Sequence, residues 1–158
     1  MIGKNKLFLA FETGEWRPNF LKATVKGVFK GWDIKSGDEI LPPEEKDRIA
    51  YQEVLEHMQN AYVIVDLTGA KRPEDGGINP NVLLEYGMAL ALAHKCHAIY
   101  CSEHISREVI EKRISDIKGC GIYNYKDKRE LREKIEEAKI SFEKHLKRKG
   151  SKVKGTGR

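Results

Sequence analysis

The sequence predicts an α/β fold, a three-layer sandwich built on a five-stranded parallel sheet. Strand-like and helix-like segments alternate five times, and such alternation implies parallel strands joined by right-handed crossovers. Residues 61–66, AYVIVD, are almost continuously apolar and β-branched, as a strand covered on both faces must be. A chain of 158 residues, 40% hydrophobic, suits one compact domain with one core.

The elements follow in order. Residues 6–11, KLFLAF, form a short apolar strand, and 18–29 place Phe20, Leu21, Val25, Val28 and Phe29 at helical spacing. Residues 30–43 are rich in turn formers, with a small second strand at 32–34. From 43 to 60, Ile49, Val54, Leu55 and Met58 recur on one helical face. The central strand at 61–66 is followed by a polar loop over 67–79. Asn79-Pro80 then offers a cap and a first-turn proline for a helix reaching about residue 95. A strand at 96–101, a helix from 106 to about 118, a strand at 122–125 and a long charged helix from 127 to about 149 complete the series. The expected sheet order is flavodoxin-like, 2-1-3-4-5, which puts ligands beyond the carboxyl ends of the first and central strands, where the winding reverses.

Charge separates the chain into two parts. Residues 1–148 are expected to form the α/β domain and 149–158 a basic, disordered tail. Six cations between 147 and 158 face no acid there, so a formal charge of +5 leaves −1 for the remainder. Such a run can touch nucleic acid, but a solvated tail is the plainer expectation. The N-terminal residues lack a signal-peptide core, and no apolar run approaches the ~20 residues that span a bilayer. Cys96, Cys101 and Cys120 have no metal-like spacing and read as free thiols of a cytoplasmic protein. His94 and His97, beside Cys96, read as surface residues, and no metal is expected.

Two polar, glycine-bearing crests should face the ligand. After the first strand come Glu12, Thr13, Gly14, Glu15, Trp16 and Arg17; after the central strand come Asp66, Leu67, Thr68 and Gly69. Trp16 can stack on a base or pack under the first helix. Between Val82 and Ala93 the only charge is Glu85. A helix so apolar should be largely covered, and an unpaired buried carboxylate costs several kcal/mol, so Glu85 is at an open edge, paired, or retained for use. Asn81 lies one turn before it, and Gly87 would let a ligand or backbone come close.

The strings AYVIVDLTG and NPNVLLEYGMALALAHK resemble the superfamily that contains nucleoside 2-deoxyribosyltransferases and TIR-like nucleotide-binding domains. Asp75-Gly76-Gly77 followed by Ile78-Asn79-Pro80-Asn81 looks closer to the TIR-like branch. The resemblance implies a Glu85 carboxylate that attacks a sugar C1′ or supports cleavage of the nicotinamide glycosidic bond. It implies Asp66 at the base or sugar, Asn81 at the sugar or phosphate, and Asp66 or Glu12 as the acid for the leaving base. Glu12, Thr13, Gly14, Trp16, Thr68, Gly69, Asn79, Asn81 and Gly87 are thus candidate ligand contacts. A nucleotide, nucleoside or NAD would be substrate, with no further cofactor required, in a homo-oligomer. The alternative is a nucleotide sensor or TIR-like interaction domain without turnover. A phosphoacceptor receiver, using Glu12, Asp66 and Lys126, fits less well because only one acid follows the first strand. FMN binding is disfavoured because Thr13-Gly14 lacks a run of hydroxyls.

Overall fold

The computed structural model describes residues 5–12, 18–40, 50–69, 78–114 and 121–154. Its elements are β1 (Lys6–Ala10), α1 (Pro18–Val28), β2 (Asp33–Ser36), α2 (Gly37–Ile40), α3 (Ala50–Met58), β3 (Tyr62–Asp66), α4 (Pro80–Leu92), β4 (Lys95–Cys101), α5 (Arg107–Arg113), β5 (Ile122–Tyr125) and α6 (Lys128–Lys154). All five strands are parallel, in the order β2-β1-β3-β4-β5. The predicted α/β fold and strand order are those observed.

Alternation along the strands divides the core in two. Leu7 and Leu9 of β1, Tyr62 and Ile64 of β3, and Ile99 and Cys101 of β4 pack beneath α1 and α6. Phe8 and Ala10, Val63 and Val65, and Ala98 and Tyr100 point the other way, beneath α3, α4 and α5. Successive side chains leave a strand on opposite faces, and both faces here are helix-covered, so β3 is buried at every position.

Local chemistry sets the ends. Asn79 caps α4, its Oδ1 accepting from the Asn81 amide at 2.8 Å, with Pro80 at the first turn. Ser106 caps α5 through Val109 N at 3.3 Å. Asp127 accepts from Glu130 N at 2.9 Å while Glu130 reaches back to Lys126 N, fixing the start of α6. Gly31 at φ 85° turns the chain after α1, and Asn60 at φ 63° does so after α3.

Four expectations change. The α6 helix continues through Lys154, so the first residues of the expected tail are helical; Lys and Arg are good helix formers, and cations suit a helix C-terminus. The α4 helix is not largely covered: it buries Val82, Tyr86 and Ala89 but exposes Leu84, Leu90 and Leu92, because a single helix lying on a sheet buries one stripe only. His97 is buried rather than superficial. Its ring stacks on Tyr123 at 4.6 Å, and desolvation, ahead of the opposed effects of Glu137, Lys134 and Lys95, pushes its pKa down to about 4. His94 is half-buried, its Nδ1 accepting from Lys149 Nζ at 2.8 Å. Among the described residues no helix is long and apolar enough to cross a membrane, and no group of three or more His, Cys, Asp or Glu can hold a metal ion.

Candidate functional site

At the carboxyl end of the sheet, the β1 crest meets the start of α4. Asn79 Nδ2 donates to Glu12 Oε1 at 3.2 Å while its Oδ1 caps the helix. One amide thus joins the first strand's exit to the helix that carries Glu85. Asn81 is exposed beside it. Thr13, Gly14 and Trp16 lie outside the described residues.

The β3 crest is tied in the other direction. Asp66 is 3% exposed; its Oδ1 accepts from Thr68 N at 3.0 Å and its Oδ2 from the Tyr125 hydroxyl at 2.6 Å. Thr68 Oγ1 accepts from Cys101 N at 2.8 Å, and Gly69 is buried next to it. Asp66 and Thr68 therefore bind β3 to β4 and β5, a structural use that sequence alone left open. Tyr125, the donor that engages Asp66, was not among the predicted site residues; a tyrosine at the end of a four-residue edge strand carries no signal of that role.

Glu85 is largely withdrawn from water, and its carboxylate has no hydrogen bond or ion pair among the described residues. Burial alone lifts its pKa from 4.5 to about 7. One wall beside it is the turn after β2: a Cβ built on Gly37 would stand 3.4 Å from Glu85 Oε1. Ser36, 2% exposed, donates to Asp38 Oδ1 at 2.5 Å, and Lys22 pairs with Asp38 as well. Burial pushes the Asp38 carboxyl up, but the Lys22 and Ser36 hydrogen bonds and the Lys22 charge outweigh it and hold the pKa low. This third crest, Ser36-Gly37-Asp38, was missed because 30–43 read only as turn-rich; the Ser-Gly-Asp string just past an edge strand was the available signal.

Gly87 stands on the exposed side of α4, where a Cβ would meet nothing within 4 Å. None of the described residues uses its small size. The structure thus groups Glu12 with Asn79, Asp66 with Thr68 and Tyr125, and Glu85 with Gly37.

These features define an α/β domain with a carboxylate that has no partner among the described residues, beside the carboxyl edge of a parallel sheet. No family model matches the chain, and no curated protein matches it.

Proposed function

We propose that the protein binds a nucleotide-like ligand at the carboxyl edge of the sheet and cleaves or transfers at its N-glycosidic bond, with Glu85 as the carboxylate that meets C1′. One observation carries this reading: a desolvated carboxylate, with no partner among the described residues, sits on an otherwise uncharged helix, a cost of several kcal/mol that folding does not need. The sequence resemblance supplies the ligand class.

In this reaction the ionised Glu85 oxygen bonds to C1′ as the C1′–N bond breaks, and the electron pair leaves with the base. A neutral base takes up a proton, for which Asp66 and Glu12 are the candidates. A cationic nicotinamide departs neutral and needs none. Water or a second base then attacks C1′ and frees the carboxylate, so configuration at C1′ is retained overall.

The test is incubation with NAD, nucleosides and nucleotides, with free base measured by chromatography. Release that falls at least about a thousandfold in Glu85→Gln supports the assignment, since a nucleophile has no substitute. Thermal stabilisation by a nucleotide without release of base favours the sensor reading. The exposed leucines of α4 support the homo-oligomer, and Cys96 and Cys101, neither in a disulfide among the described residues, suit a reducing cytoplasm.

A further inference from the structure

The α6 helix changes character along its length. Between 129 and 143 its cations are matched: Arg129 with Glu133, Arg132 with Glu136, Lys134 with Glu137 and Lys139 with Glu143. From 144 to 154 the sequence KHLKRKGSKVK holds six cations and no acid. Lys144, Lys147, Arg148, Lys149 and Lys152 are all exposed, and none of them is ion-paired among the described residues.

This segment is held against the sheet. Leu146 packs on the core beneath α6, the Tyr62 hydroxyl bonds His145 Nδ1 at 2.9 Å, and Lys149 bonds His94. These contacts lie at the amino ends of β3 and β4, the edge opposite the Glu85 crest, and they bring exposed Lys95 to the same surface. Desolvation, then the charges of Lys149, Lys95 and Arg148, push the His145 pKa down, an independent sign that positive potential collects there.

Helix physics does not ask for this arrangement. Lys144–Arg148 and Arg148–Lys152 are like-charge pairs at i,i+4, which weaken a helix by roughly 0.2–0.5 kcal/mol each. Favourable interaction with the helix dipole is confined to the last turn, beyond Lys144, Lys147 and Arg148. A dense anion relieves the repulsion, and a nucleic-acid backbone, with one charge per ~3.4 Å on each strand, matches five cations spread over ~12 Å of helix. A bilayer fits less well: between 144 and 152 the exposed side chains are polar and Leu146 faces the core, so no apolar face is left to insert.

We propose that the last turns of α6, together with Lys95, form a sequence-independent contact surface for the phosphate backbone of nucleic acid. The test uses the full chain and fluorescence anisotropy with labelled 20-nucleotide single strands and 20-base-pair duplexes of mixed sequence. Six phosphate contacts, five from α6 and one from Lys95, predict binding that weakens about 1,800-fold on a duplex between 50 and 200 mM salt, from a slope of roughly −0.9 per contact. The variant Lys147→Glu with Arg148→Glu, both exposed, should keep its circular dichroism, bind at least about tenfold more weakly and lose about two units of salt slope. Lys112→Glu on α5 should bind as the unaltered protein does. Failure to bind at 50 mM salt, binding unchanged in the double variant, or adsorption to phosphatidylserine vesicles with no binding to either oligonucleotide would each overturn the proposal.

Discussion

Glu85 holds its proton to about pH 7 in the folded chain, whereas an unfolded glutamate loses it near 4.5. Between those values the folded state binds a proton that the unfolded state has released, so this group's contribution to stability falls as pH rises and the penalty is complete above about 7. The gap corresponds to up to about 3 kcal/mol at 1.36 kcal/mol per pH unit. Glu85→Gln, which keeps shape without charge, should therefore raise stability against urea by up to about 3 kcal/mol at pH 8 and by almost nothing at pH 4.5. An equal gain at both pH values would show that ionisation is not the cause. The same proton shapes activity: a nucleophile must be anionic, so kcat/KM should climb through pH 7 and fall about tenfold per unit below it. Tyr125→Phe tests the other carboxylate. Losing the 2.6 Å bond removes one hydrogen bond to a buried carboxylate, at a cost of about 1.5–3 kcal/mol; chemical denaturation of the variant measures it.

At the scale of elements, Asn79 serves the end of α4 twice, as cap and as tether to Glu12. Asn79→Ala should cost about 1 kcal/mol through the cap alone, and should reduce activity further than a distant change of equal stability cost, because Glu85 rides on the helix that Asn79 aims. The exposed leucines make a separate prediction: Leu84→Glu should change monomer stability little, since this side chain is 46% exposed, yet should shift sedimentation toward the monomer if copies associate through α4. Periodicity made these elements legible. Continuous apolar runs marked β1, β3 and β4, and Asn79-Pro80 marked the start of α4, because strand burial and cap chemistry are local. What stayed hidden depends on distant partners. Nothing near Asp66 in sequence announces that Tyr125, 59 residues on, will bond to it, and nothing near Glu85 announces that Gly37 forms its wall. The apolar character of α4 suggested that it is largely covered, but composition cannot tell a covered helix from one with a free apolar face.

Across the whole molecule, one sheet supports two cores, and the same strands supply both. Leu7 and Phe8, or Ile64 and Val65, are chain neighbours whose side chains sit on opposite faces, so neither layer can loosen without stripping cover from strands the other layer needs. Phe142, fully buried, anchors α6 among Phe29, Trp32 and Tyr62, with the Tyr62 ring centroid 4.8 Å away; Met58, also fully buried, anchors α3 on the far side. Phe142→Ala should cost about 3–5 kcal/mol and Met58→Ala about 2–5 kcal/mol, each leaving a cavity on its own face. A single cooperative unit demands more than two losses of stability. In each variant, tryptophan fluorescence, to which Trp32 reports from the α6 face, and helical circular dichroism must still follow one shared transition in urea. A Phe142→Ala protein whose fluorescence changed first, while the helices on the opposite face melted later, would mean that the faces fold as separate units and that the shared strands do not couple them.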